Sequence, residues 1–515
     1  MAGGMDLLLV LPEIVLTLLG LVVVGLDLFY LRRKERDGAA RSGWLGYFTL
    51  VSLVVVSLAS YLVGPRSVLQ RYLPDLFGQL LLRNAAFGGA FRVDGVTQFF
   101  RVVFLLAGAL VLLLSLDRNW GDHEGEYYGL LVLSLLGMTL MAAAGELVTI
   151  YVALELTSIS LYLLAAFDFR RRSIEAGLKY FLFGAFSSGV LLYGMSLIYG
   201  FTGETSLEGI AQGIAQVGGL AGLLEPGGRG LLLGIVFLIA GFGFKLALVP
   251  FHAWAPDVYE GAPTPIAAFI STGSKAASFV VVVRLFQVAF GSAGGTAQWG
   301  QWQGWRGLLA ALAVITFTAA NLMALPQRNV KRLLAYSSIA HAGYMLIAVV
   351  LASGEGLQAL FYYLFAYVLT NVGAFATVVA ISRHIGSEEL EAFAGLSKRS
   401  LPLAGALTIL FFSLGGVPPL AGFFAKFWLF WATFKEGLYW LAGLGLANTI
   451  IAFYYYLRVL KAVWFEAPAE ETPVVATDAV SVTLLVTTAL VIVVGLMPQW
   501  WLRFLEGAVR ALAAL

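Results

Sequence analysis

Apolar stretches of roughly 18 residues or more recur along the whole chain, and no other feature narrows its possible folds as far. They fall near 7–31, 44–63, 95–116, 127–145, 147–167, 177–201, 231–254, 263–290, 307–325, 332–352, 356–383, 402–435, 437–464 and 479–498. Each is long enough to carry a helix across ~30 Å of hydrocarbon. Backbone polar groups in lipid must be satisfied internally, so the choice is a helix bundle or a closed barrel. These segments are too long and too uniformly apolar for barrel strands. Charged residues make up only 12% of the chain, about half the usual soluble share. The expected fold is an all-α integral membrane protein of about 14 transmembrane helices. The tail 499–515, "QWWLRFLEGAVRALAAL", is amphipathic and suits the membrane interface.

The first segment carries no basic residue before it and "RRKER" after it. A signal peptide has its positive charge first and a shorter apolar core, so this segment reads as a retained span. Basic residues in the loops set the orientation. "RRKER", Arg41, the run Arg170–Arg172, Arg328, Lys331, Arg332, Arg383, Lys398 and Arg399 all fall on one side. The loop holding Arg66, Arg71, Arg83 and Arg92 votes the other way, and is outnumbered. Both termini are therefore expected on the outer side.

There is no cysteine, and the four histidines are His123, His252, His341 and His384. That excludes a self-contained iron–sulfur cluster, and no histidine pair suggests a haem. No dinucleotide fingerprint, P-loop or HExxH zinc motif is present. No metal, cofactor or nucleic acid is expected on this chain, so any redox chemistry belongs to partners.

Six basic residues lie within the spans: Arg101, Lys179, Lys245, Lys275, Arg284 and Lys426. Arg101 and Arg284 lie toward helix ends, where snorkelling accounts for them. The four lysines resist that explanation. Each costs roughly 3 kcal/mol at mid-membrane, and four cost on the order of 10 kcal/mol. Lysine suits proton transfer because burial can draw it toward neutrality, which arginine never permits. Structural ion pairs are the plainer alternative. Glu155, midway along the fifth span, completes the set as a buried carboxylate. Glu146 lies about 13 Å before it along a helix, near the outer surface.

Two spans are interrupted. Pro250 follows Lys245 in "GFGFKLALVPFH" and withholds a donor from the carbonyl of Leu246. Gly415, Gly416, Pro418 and Pro419 break the twelfth span two turns before Lys426. An isolated proline is often a simple kink, but two matched breaks, each beside a lysine, are the mark of a transporter built from repeats. The breaks stand five helices apart. Two inverted five-helix repeats, helices 4–8 and 9–13, are expected, with helices 7 and 12 broken. This rests on topology and not on residue identity between the halves. The divisions are 1–126 (helices 1–3), 127–290 (first repeat), 307–464 (second repeat) and 479–515 (helix 14 and tail).

"GFGFKLALVPFHAWAPDVYEGAPTPIAAFISTGSKAASF" (241–279), "RNVKRLLAYSSIAHAGYML" (328–346) and "GGVPPLAGFFAKF" (415–427) closely resemble the signatures of antiporter-like proton-pumping membrane subunits of respiratory complex I. The likeness runs over roughly 90–465. Lys179 in "IEAGLKYFLFGAFSSG", Lys275 in "STGSKAASF" and Lys426 after the double proline follow the N-type pattern, not the L- or M-type. The resemblance implies that Glu155 pairs with Lys179, that Lys245 is the central proton carrier, that Lys275 and His341 relay, and that Lys426 stands at the exit. Glu146, His252 and Tyr336 are secondary candidates, and a structural role for His252 is equally open. It further implies a bacterial inner-membrane complex in which other subunits bind NADH, FMN, iron–sulfur clusters and quinone. The partners would be a neighbouring antiporter-like subunit, a quinone-proximal subunit and the bilayer. Multi-subunit cation/proton antiporters and membrane-bound hydrogenases share these motifs and are the rival reading; a non-pumping scaffold is another.

Overall fold

A computed structural model describes residues 2–31, 43–63, 85–118, 120–468 and 472–513. "RRKER", Arg41, Arg66, Arg71 and Arg83 lie outside the described residues, so part of the loop-charge argument does too. Helices 1 to 6 are Leu11–Leu26, Trp44–Val63, Gly95–Leu116, Glu124–Ala143, Leu147–Ala165 and Arg171–Thr202. Helix 7 is split into 7a (Arg229–Leu246) and 7b (Trp254–Gly261). Helix 8 runs over Thr264–Ala289. Helices 9, 10 and 11 are Gly304–Ala324, Val330–Leu351 and Gly354–Ile385. Helix 12 is split into 12a (Leu401–Gly415) and 12b (Ala421–Lys435). Helices 13 and 14 are Tyr439–Phe465 and Asp478–Leu496, and the amphipathic tail forms a last helix, Pro498–Ala513.

Twelve of the described helices are long and apolar enough to cross a bilayer. The other two expected crossings are helix 2 and the broken helix 12, so the fourteen segments read from the sequence all reappear. The only described sheet is a two-residue hairpin, Ala85–Ala86 with Phe91–Arg92. The central stretches of helices 8 and 11 are wholly enclosed by their neighbours.

The inverted repeat shows in matched local structure. Helices 6 and 11 are each 32 residues long and each ends on a left-handed glycine, Gly203 (φ 71°) and Gly386 (φ 74°). Two backbone bonds lock the segment before helix 5 to that after helix 6: Leu147 N–H to Thr205 O, and Leu207 N–H to Gly145 O. The same two bonds recur at helices 10 and 11: Val330 N–H to Glu388 O, and Leu390 N–H to Arg328 O. Five crossings separate the two locks, so they sit at opposite ends of the bundle.

The breaks match as well. Helix 7a closes with Ala247 N–H on Phe244 O and Leu248 N–H on Gly243 O; helix 12a closes with Gly416 N–H on Ser413 O and Val417 N–H on Phe412 O. Both are Schellman turns, with the left-handed residue at Ala247 (φ 55°) and Gly416 (φ 88°). The Val249–Pro250 and Pro418–Pro419 bonds that follow are both cis. This corrects the reading that Pro250 breaks helix 7 by withholding its N–H from Leu246. The helix has already ended at Leu246, because Ala247 turns left-handed.

Helix 14 braces the second break from outside. A Cβ at Gly495 would lie 2.2 Å from the carbonyl oxygen of Pro419. Gly495→Ala is therefore expected to push the two apart at a cost of about 1–3 kcal/mol, seen as a lower melting temperature of the purified protein. An unchanged melting temperature would show that this contact has slack.

Candidate functional site: a polar axis at mid-membrane

Glu155, Ser158 and Tyr162 lie at i, i+3 and i+7 of helix 5, hence on one face. That face meets Lys245 at the end of helix 7a. The Lys245 ammonium donates to the hydroxyls of Ser158 and, at 3.2 Å, Tyr162. It also sits over the rings of Tyr162 (5.1 Å), Phe244 (5.6 Å) and Tyr180 (5.8 Å). Such faces attract a cation without neutralising it. Nearby, the Trp254 indole donates to Phe244 O at 3.1 Å, and the hydroxyl of Ser187 donates to Gly241 O, also at 3.1 Å. The end of helix 7a is thus enclosed by protein, although Pro250 and Ala253 of the turn that follows are exposed.

Lys275 follows a π-helical turn, Ile270–Ser274, of the kind often found at functional sites. It donates to the carbonyl (2.7 Å) and the hydroxyl (2.5 Å) of Ser338 on helix 10. Ser338 also meets the Tyr259 hydroxyl at 3.4 Å. One residue away, Ser337 bonds the Tyr456 hydroxyl. Tyr456 lies 3.3 Å from Nε2 of His341, whose Nδ1 lies 2.8 Å from the Tyr363 hydroxyl. Lys426 donates to Leu414 O (2.8 Å) and Gly415 O (3.4 Å), and sits 5.4 Å over the Tyr344 ring. Tyr344 continues to Asn321, which accepts from Tyr455 and donates to Asn448. Between Lys245 and Lys275 the connection is aromatic: Tyr180 stacks on Trp254 at 4.5 Å, and Trp254 meets Tyr259 edge-on at 6.4 Å.

Lys245, Lys275 and Lys426 are 8%, 2% and 4% exposed. Among the described residues none of the three is in an ion pair; their partners are hydroxyls, carbonyls and ring faces. Three buried ammonium groups outside ion pairs are poor structural devices, since an uncompensated buried charge costs several kcal/mol (roughly 3–5).

Several expectations are corrected. Glu155 and Lys179 do not meet. Helices 5 and 6 run antiparallel, with Ala166 against Gly177 and Tyr162 against Gly184. That register sets Glu155 opposite Ser188, which donates to it, about 13 Å along helix 6 from Lys179. Lys179 instead pairs with Glu175 and with Asp257 of helix 7b, each at 2.9 Å. Nor do Arg101 and Arg284 snorkel, since each is 1% exposed. Arg101 binds both oxygens of Glu13 at 2.8 Å. Arg284 binds Asp94, the N-cap of helix 3, at 2.9 Å. Burial pushes the Asp94 carboxyl up, but the Arg284 charge and the bonds from Thr97 outweigh it and hold the carboxyl below the usual aspartate range.

The secondary candidates are dispersed. Glu146 caps the start of helix 5, where its carboxylate accepts from Thr149 and Thr205. His252 lies in the turn between 7a and 7b, with its Nδ1 buried and without a hydrogen-bond partner among the described residues. Tyr336 is half-buried against the core.

The sequence reading also missed a lysine. It counted Lys331 as a loop cation, yet Lys331 is buried at the start of helix 10, donating to Ala262 O and paired with Glu388 at 3.0 Å. Both line a polar cavity of about 730 Å³ at that end of the bundle, with Arg172, Glu260 and Arg383. Asp257, Glu260, Arg172 and Arg332 form a charge cluster beside it. The signal was available in the helical pattern, since Lys331 and Ser338 stand seven residues apart on one face. No cluster of three or more metal-ligating side chains occurs among the described residues.

Fold and axis together define a polytopic helical protein with two inverted broken-helix repeats and a line of buried lysines across its middle. The family model described as NADH:quinone oxidoreductase/Mrp antiporter, transmembrane, matches residues 144–452, and the chain belongs to that family. It is 43% identical to NADH-quinone oxidoreductase subunit N 1 of Roseiflexus castenholzii over 95% of both chains. Its structure is similar to a chain of respiratory complex I from Thermus thermophilus with bound aureothin (TM-score 0.74, 32% identity, covering 97% of this chain and 98% of that one). It is also similar to a chain of the membrane-bound sulfane sulfur reductase, an archaeal respiratory membrane complex (TM-score 0.81, 25% identity, 99% and 98%).

Proposed function

We propose that this chain is the N-type proton-translocating membrane subunit of an NADH–quinone oxidoreductase in a bacterial cell membrane, with both termini outside. NADH, FMN, iron–sulfur clusters and quinone are handled by other subunits, and this chain carries protons without redox chemistry of its own. The observation that carries this reading is the row of three buried lysines, none in an ion pair among the described residues, with Ser338 bonded to Lys275 and the Ser337–Tyr456–His341 bonds beside it. Residues 127–290 and 307–464 act as the two repeats, each supplying a broken helix and its lysine.

Quinone reduction next door changes the charge at the end of the axis near Glu155. A charge moves the equilibrium only by interacting differently with the two proton distributions. Glu155 and Lys245 both abut Ser158 or its face of helix 5, so they sense that charge together. The proton held at Lys245 then passes toward Lys275, His341 and Lys426. Export costs about 2.3 kcal/mol per 100 mV. Lys179, in its pairs with Asp257 and Glu175, positions helix 7b and sets the charge below Lys245.

The test is the intact complex in sodium-free proteoliposomes, with acidification followed against NADH oxidation. Wild type is expected to pump, and Lys426→Ala to lower the rate of proton translocation by about tenfold, which corresponds to about 1.4 kcal/mol on the limiting barrier. Sodium–proton exchange that runs without NADH would favour the antiporter reading instead.

A further inference from the structure

Between helix 12a and the start of helix 14 the surface opens into a groove of about 920 Å³. Its walls are apolar: Leu403, Ala406 and Ile409 on one side, and Val475, Leu484 and Leu485 on the other. Val475 and Leu485 are 77% and 71% exposed, so no described part of the chain covers them. Arg399 and Ser400 line one end of the groove, where helix 12a begins.

Arg399 is only 7% exposed. Its Nε donates to Thr472 O at 2.9 Å, whereas its Nη2 is buried without an acceptor among the described residues. A guanidinium does not discharge, so a guanidinium N–H without a described partner suits an anionic acceptor. Planar and bidentate, it matches phosphate. Lys398 stands exposed beside it, and Arg383 is at the same end of the bundle. Basic residues mark the cytoplasmic face, and that leaflet is the anionic one.

We propose that this groove binds an anionic glycerophospholipid, one acyl chain lying between helices 12a and 14 and the phosphate on the Arg399 guanidinium. A free phosphate would leave the apolar walls empty, and a zwitterionic lipid would carry a cation to a site that already holds Arg399 and Lys398. The occupant would brace the outer side of helix 12a, whose far end is the second break.

The probes are phosphatidylglycerol and phosphatidylcholine, each with a photoreactive acyl chain, supplied at equal mole fraction to the intact complex in vesicles. Labelled peptides are then mapped by mass spectrometry. One basic group near the surface is worth about 1 kcal/mol, so phosphatidylglycerol is expected to label 403–409 and 475–485 about fivefold more than phosphatidylcholine. Arg399→Gln should bring the ratio near one, and Arg399→Lys should keep most of it. Ala406→Trp fills the groove without touching Arg399 and should remove labelling by both lipids, which guards against misfolding of the arginine variants. Equal labelling of wild type by both lipids, an unchanged ratio in Arg399→Gln, or no labelling of wild type because protein covers the groove would each overturn the proposal.

Discussion

Lys245→Ala is expected to abolish most coupled proton translocation while the complex still assembles and still oxidises NADH. The ammonium is held by two hydroxyls and three aromatic faces, with no ion pair among the described residues for its loss to break. Folding therefore suffers little, but a proton arriving from the Glu155 side has no basic group to receive it. The loss should reach about tenfold or more in the rate of proton translocation, that is, at least about 1.4 kcal/mol on the limiting barrier. Lys245→Arg is the sharper test. It keeps the positive charge but does not release its proton, so it should be as defective as alanine. Full pumping by the arginine variant would mean that charge alone is needed at this position, and the carrier role would fall.

The second large effect is structural. Arg101→Ala leaves Glu13 in helix 1 buried at 4% exposure without the guanidinium that holds both of its oxygens. Breaking one side of a buried pair costs about 3–5 kcal/mol, whereas replacing both sides with apolar residues of similar size is often neutral. Arg101→Ala should therefore sharply reduce the chain recovered in the assembled complex, and the double variant Glu13→Leu/Arg101→Leu should restore much of it. Wild-type recovery of the single variant would show that water reaches this pair.

The membrane architecture was legible because hydrocarbon thickness imposes a length on every span, and the pattern of apolar runs records it directly. The breaks were legible too, from Gly415, Gly416, Pro418 and Pro419, although the cause at helix 7 was not. A left-handed alanine at 247 leaves no mark in composition, and only the Schellman bonds reveal it. Lys245, Lys275 and Lys426 stood out because ammonium groups in apolar runs need a reason. What the sequence could not supply was register. The spacing of Glu155 and Lys179 along their own helices says nothing of how helices 5 and 6 slide against each other, and that slide put Asp257 next to Lys179. For the same reason Glu13 and Asp94 were invisible as partners of the two arginines. Ion pairs between distant segments follow from packing.

The two breaks differ in who closes them. At helix 12a the Schellman turn takes the carbonyls of Phe412 and Ser413, and the Lys426 ammonium takes those of Leu414 and Gly415. At helix 7a the Phe244 carbonyl has an indole donor that never titrates. Only the second lysine is therefore a fastener for the backbone it serves. When it is charged it offers three N–H groups, and when neutral it offers two. Two N–H groups still suffice for two carbonyls, but without the charge they hold them about half as strongly. Emptying this lysine is therefore expected to loosen the end of helix 12a and refilling it to tighten that end, which ties occupancy to shape at this end of the axis.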